Sequence, residues 1–170
     1  MTNKGVDAYR PPEITFGFPA CEKSDIFSIS CVVTELASRQ PLFPSYVNNA
    51  GPFTLYEKAY LFDTLIHPIP SALVTRLRSK YPGWFDAYGF ITLDESISSY
   101  VKLFSERHAT TFQVSVLRVR VAAIHRSVSQ DAVDNDEEIR EVLEDALRLD
   151  CSERVSLTEI EAYPFFRKRI

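Results

Sequence analysis

The side chains of this 170-residue chain that could hold a metal or move a proton are few. They are three histidines (His67, His108, His125), three cysteines (Cys21, Cys31, Cys151) and an acidic group, Asp134, Asp136, Glu137 and Glu138. Zinc centres need cysteine and histidine at short, repeated intervals, and these residues make no such spacing. An odd number of widely separated cysteines reads as reduced thiols, neither a disulfide framework nor a zinc site. The acidic group is more simply a helix start, where negative charge meets the positive end of the dipole, than a calcium site. Phosphoryl transfer would need a glycine-rich cover, a lysine on the phosphates, a catalytic aspartate and metal-binding carboxylates. Gly5, Gly17, Gly51, Gly83 and Gly89 are too dispersed to form such a cover. No catalytic residue, bound cofactor or metal is therefore expected of this chain.

Composition narrows the partners. Hydrophobic residues make up 45% and charged residues 25%, as in an ordinary globular domain. A net charge of −4 gives no nucleic-acid footprint. No apolar run approaches the roughly 20 residues needed to span a bilayer, so no membrane is expected. The polar start, Met1 to Gly5, lacks the apolar centre of a signal peptide. The expected location is intracellular, in cytoplasm or nucleus.

The elements that must position any site are mostly helices. Pro11, Pro12, Gly17 and Pro19 keep residues 1–23 irregular. Ser24 can cap a helix over 26–37, and Asp25 suits its positive end. That helix is apolar on nearly every side, which predicts burial all round, and Pro41 ends it. A loop over 39–53 leads to the capping box Thr54-Leu55-Tyr56-Glu57 and a helix to about Ile66. Ser71 is read as the cap of a helix reaching Lys80, and Asp94 as the cap of one over 95–107. Residues 110–124 fit a strand through Phe112, Val114 and Val116, or a helix through Val114, Leu117, Val121 and Ile124. The helix is preferred because a lone strand would lack a partner. Residues 127–135 read as a polar loop and 136–149 as an amphipathic helix carrying Ile139, Val142, Leu143, Ala146 and Leu147. A second capping box, Ser156 to Glu159, opens a last short helix. The scattered basic residues Lys102, Arg107, His108, Arg118, Arg120 and Arg126 are read as a solvated face.

Order and spacing carry a resemblance. Gly5-Val6-Asp7-Ala8-Tyr9-Arg10-Pro11-Pro12-Glu13 resembles the end of a protein-kinase activation segment, and Asp25-Ile26-Phe27-Ser28-Ile29-Ser30 the helix that follows it. Pro41-Leu42-Phe43 resembles the loop after that helix. Leu147 to Arg154 is similar to the family's Leu-x-x-Asp-Pro-x-x-Arg, and Tyr163-Pro164-Phe165-Phe166 to its His-Pro-Phe-Phe ending. Tyr9-Arg10 before Pro-Glu is typical of the CMGC group. Glu57 to Pro70 falls in register with the LAMMER signature, which SR-protein kinases share in similar form, with identities at Glu57 and Pro68-Ile69-Pro70. The resemblance covers residues 5–70 and 139–166, and 84–135 looks like a diverged insert.

The resemblance implies a mainly α fold, the helical C-terminal lobe of the protein-kinase-like fold, with N-lobe and catalytic loop absent. Residues 1–170 would form a single partial kinase domain. It implies that Glu13 pairs with Arg154, that Arg10 helps organise the activation segment, and that Asp25 holds a catalytic loop this chain lacks. Tyr9, Arg10, Glu13, Asp25 and Arg154 are thus the structural motif residues. Val6 stands where active Ser/Thr kinases carry threonine and has no hydroxyl to give. His125-Arg126-Ser127 looks like His-Arg-Asp, but it follows Pro-Pro-Glu in the chain and has serine for the base, which marks it as coincidence. ATP and magnesium would be expected only for a full-length relative. The readings left open are a fragment or decayed copy of a Ser/Thr kinase, inactive alone, and a non-catalytic module that docks a protein partner or substrate. A soluble helical domain unrelated to kinases is the third.

Overall fold

Proline and short polar side chains decide where the described helices begin. The computed structural model describes residues 7–38, 41–43, 46–47, 51–92, 97, 99, 101–103 and 131–167. Among these, a 3-10 turn at Asp7–Tyr9 leads into α1 (Pro12–Thr15) and α2 (Ser24–Ser38). A two-stranded antiparallel ribbon, β1 (Tyr46–Val47) and β2 (Gly51–Pro52), precedes α3 (Leu55–Leu65) and α4 (Ser71–Lys80). After the segment 81–130 come α5 (Asp131–Ala146), α6 (Leu157–Ile160) and α7 (Pro164–Arg167). The described structure is mainly helical, and none of its helices is long and apolar enough to cross a membrane.

Both capping boxes form. The Thr54 hydroxyl accepts the N–H of Glu57 while the Glu57 carboxylate accepts the N–H of Thr54, and Ser156 and Glu159 repeat the exchange before α6. Each satisfies two amides that a helix start leaves without partners. The serine before α4 behaves differently. Pro70 occupies the cap position with no side-chain bond, and Ser71 is already the first helical residue. The Pro70 ring fixes its φ, here −58°, with an extended ψ of 143°, and the helix starts one residue earlier than a serine cap would place it.

The core is aromatic. Phe62 on α3 meets Phe43 at 4.9 Å, Phe16 at 5.9 Å and Phe27 at 6.1 Å, all edge to face. This geometry sets the positive ring edge against the negative ring face. Leu61 and Leu65 of α3, Leu77 of α4 and Leu143, Leu147 and Leu149 near the end of α5 close around it. A smaller apolar cluster joins Ile26 on α2 to Ala146 and Val155. Trp84 stacks on Tyr81 at 4.1 Å, and residues 84–92 form a tight loop. There Asp86 accepts the N–H of both Tyr88 and Phe90, and Phe85 bridges Ile91.

Three expectations are corrected. First, α2 is not buried all round. Ile26, Phe27, Ser30, Cys31 and Thr34 are buried, but Ile29 is 59% exposed, Leu36 70%, and Val32 and Val33 about 40%. These four recur at i, i+3, i+4 and i+7, so they form one stripe, facing away from the 3-10 turn and α5 that the other side packs against. The buried hydroxyls on the covered side are satisfied locally: Ser30 donates to the Ile26 carbonyl and Thr34 to the Ser30 carbonyl, each at 2.8 Å. Second, α5 starts at Asp131, inside the expected 127–135 loop, and ends at Ala146, short of 149. Residues 131–149 hold neither glycine nor proline, so polarity alone was no barrier to helix. Third, Ser24 is itself the first residue of α2, and its hydroxyl is engaged elsewhere, as described below. The helix expected over 95–107 is described only at residues 97, 99 and 101–103, where Ile97 and Val101 join the core. The segment 110–126 and Val6 lie outside the described residues.

Candidate functional site

Glu13 sits in the single turn α1, which Pro12 opens by fixing its own φ and removing an amide that would have no partner. This turn aims the carboxylate inward, leaving Glu13 only 5% exposed. Arg154 lies 141 residues later, in the turn between α5 and α6, and is 1% exposed. The two meet as a fork. Arg154 Nη1 donates to Glu13 Oε1 at 2.9 Å and Nη2 to Oε2 at 3.0 Å. Nη1 also donates to the Lys23 carbonyl at 2.9 Å, and Nε to the Arg148 carbonyl at 3.0 Å. Four of the five guanidinium N–H groups are thus placed. The Ser24 hydroxyl donates to Glu13 Oε1 at 2.7 Å and accepts the Cys21 amide at 3.0 Å. The guanidinium carbon stands 5.0 Å from the Phe27 ring centre, so the cation rests on an aromatic face.

Burial alone would push the Glu13 carboxyl up, but the hydrogen bonds and charge of Arg154, with Ser24 behind them, outweigh it and hold the group below its ordinary value. A carboxyl with a depressed folded pKa contributes stability that is full above its unfolded value and is lost as pH falls through the folded one. Stability is therefore expected to decline as pH drops below about 4.5, the ordinary value for this group. In Glu13→Gln this part of the acid decline should vanish. Denaturant midpoints of both proteins between pH 6 and 3 check it, and parallel curves would sink the idea.

Two cysteines complete the cluster. Cys21 and Cys151 are joined as a disulfide across 130 residues, with Cα atoms 6.8 Å apart, where the sequence suggested separate reduced thiols. Chain folding supplies what spacing could not: the Glu13–Arg154 fork brings their loops together. Glu13 Oε1 lies 3.8 Å and Ser24 Oγ 3.6 Å from Cys21 Sγ. The donor atoms of Glu13, Cys21 and Cys151 all fall within 4.8 Å of one another, but the bonded sulfurs are not thiolates and cannot act as metal ligands in this state. Both carboxylate oxygens are already taken by Arg154, so a cation there would have to displace the guanidinium. Cys31 is apart from this group, buried in the core with its thiol pushed well up by desolvation.

Of the five motif residues, the structure brings together Glu13 and Arg154. Tyr9 lies on the flank, its hydroxyl donating to Glu35 Oε2 of α2 at 2.6 Å, and this bond raises the phenol above its usual value. Arg10 is half-buried beside α1, its carbonyl accepting the Thr15 hydroxyl at 3.3 Å. Asp25 is exposed in the first turn of α2. Sequence reasoning missed Ser24 as a ligand of Glu13, the Lys23 and Arg148 carbonyls, and the cysteine pair. The proximity of Ser24 to Asp25 in the motif was the one available signal.

Comparison with known proteins agrees on the type of fold. No protein-family model matches the chain. It is 24% identical over 166 residues to the serine/threonine-protein kinase AFC2 of Arabidopsis thaliana, covering 95% of this chain and 33% of that protein. Over 36 residues it is 53% identical to homeodomain-interacting protein kinase 4 of Homo sapiens, a stretch covering 21% of this chain and 6% of that one. A crystal structure of a kinase domain superimposes with a TM-score of 0.60 at 19% identity, over 94% of this chain and 40% of its own. The chain thus has a protein-kinase-like fold and resembles CMGC kinases, while spanning about a third of the length of AFC2.

Proposed function

We propose that residues 1–170 serve as the helical, protein-docking lobe of a CMGC-type Ser/Thr kinase-like domain, LAMMER-like or SR-protein-kinase-like, and do not transfer phosphate by themselves. The observation that carries the reading is the Glu13–Arg154 fork. It fastens a Pro-Pro-Glu loop to a Leu-x-x-Asp-x-x-x-Arg corner in the order that a kinase helical lobe uses. The exposed stripe Ile29, Val32, Val33 and Leu36 supports it too, since an apolar row of this kind suits a face for other protein to cover. The sequence given holds no glycine-rich phosphate cover and no Asp-Phe-Gly. We place the protein inside the cell, in cytoplasm or nucleus.

The stripe equally favours a second reading, a non-catalytic interaction module that presents this face to a protein partner. Millimolar ATP with Mg²⁺ is expected to leave the melting temperature of the purified chain unchanged, because only a ligand that binds the native state raises it. A saturable shift at micromolar nucleotide would overturn the inactive reading. Strong binding of a hydrophobic dye, reduced in Ile29→Gln/Leu36→Gln, would favour an unfilled docking face. Absence of dye binding would count against both docking readings.

A further inference from the structure

We infer that Cys21 and Cys151 form a reversible thiol–disulfide modification site, a covalent latch laid over the Glu13–Arg154 fork and set by the redox state of the surroundings. The inference stands on where the two sulfurs lie and does not depend on the kinase-like reading of function. Cys21 precedes α2 and Cys151 follows α5, so the bond joins the same two segments that the fork joins. Both cysteines are half-exposed and within reach of a small-molecule oxidant, whereas Cys31 is fully buried in the core. The fork holds the two sulfurs in register whether or not they are bonded, which makes closure within the chain faster than bonding to another molecule.

The oxidant is a low-molecular-weight disulfide such as oxidised glutathione. The Cys21 thiolate attacks one of its sulfurs, forming a mixed disulfide and expelling one glutathione thiolate. The Cys151 thiolate then attacks the Cys21 sulfur, forming the Cys21–Cys151 bond and expelling the second. Two protein thiols lose two electrons and two protons, and one oxidised glutathione becomes two reduced. Excess reduced glutathione or a dithiol runs the sequence backwards. This reconciles a paired state with a chain whose cysteine pattern suits a reducing compartment.

The bond closes a loop across 130 residues, and long loops restrict the unfolded chain most. The test uses the full chain equilibrated with oxidised or with reduced glutathione, then denatured and alkylated. Mass spectrometry should find one alkylated cysteine after oxidation, Cys31, and three after reduction. The oxidised form should melt higher by about 5–15 °C. Amide exchange should slow in residues 11–24 and 147–155 with little change in α3 and α4. Cys21→Ser and Cys151→Ser should each erase the redox dependence. Three alkylated cysteines after oxidation, glutathione adducts that persist on both residues, disulfide-linked dimers, or equal melting of the two forms would each overturn the latch. So would a redox-dependent shift that survives in either serine variant. The wild-type chain alone decides these points should a variant fail to fold.

Discussion

Arg154→Ala is expected to lower the free energy of unfolding by about 3–5 kcal/mol. The figure is large because the loss is asymmetric. Alanine leaves the Glu13 carboxylate 5% exposed with only Ser24 to serve it, and it strips the carbonyls of Lys23 and Arg148 of their donors. A buried acceptor without a donor loses its water and receives nothing in exchange. Total stabilities of domains are about 5–15 kcal/mol, so the loss is a large fraction of the whole. Urea midpoints measure this directly. Arg154→Lys should recover little, since an ammonium cannot span both carboxylate oxygens and two carbonyls from one position. Glu13→Gln with Arg154→Met should be milder than Arg154→Ala alone, because removing both charges leaves neither stranded. An unchanged midpoint in Arg154→Ala would show that the fork does not hold the chain together in solution.

Phe62→Ala should be comparably damaging, at about 3–5 kcal/mol. Phe62 is the hub of the aromatic core, with Phe16, Phe27 and Phe43 all within 6.1 Å of its ring centre. These three come from the loop after α1, from α2 and from the segment at 41–43, so no one element can move to refill the space. Phe62→Leu keeps much of the volume and should cost clearly less. Calorimetry on the pair separates lost volume from general loss of order. A loss under about 1 kcal/mol in Phe62→Ala would mean the rings are not closely packed.

Local signals were legible in the sequence and distant ones were not. Thr54 with Glu57 and Ser156 with Glu159 form their boxes as read, because all the partners lie within four residues. Ser24 and Ser71 are also cap-forming residue types, but neither has Glu or Gln three residues on, and neither caps its helix. A carboxylate 11 residues upstream claims the Ser24 hydroxyl, and Pro70 sets the boundary ahead of Ser71. The composition of α2 gave its hydrophobicity correctly but not which side is covered, since burial depends on what packs there. Residues 131–135 read as loop because Asp131, Asp134 and Asn135 favour turns, yet acidic side chains in the first turn of α5 suit the positive end of its dipole. Of the site, Glu13 and Arg154 could be named together only through resemblance to a family, which carries long-range information that a single chain does not. The pairing of Cys21 with Cys151 had no such template, and an odd cysteine count argued against it.

The distance along the chain between Glu13 and Arg154 also sets an order of events during synthesis. At about 5–20 residues per second, a ribosome needs roughly 7–28 s to add the 141 residues that separate the carboxylate from its guanidinium. Through that interval α1 has emerged with an acidic group that cannot yet be withdrawn from water, so the loop carrying it must stay open. The rings of α2 and α3 can meet in the meantime, while Leu143, Leu147, Leu149 and the Arg154 guanidinium over Phe27 complete the core only later. Closure of the fork is then a late step, and the nascent chain offers Cys21 to any passing thiol or chaperone until it happens.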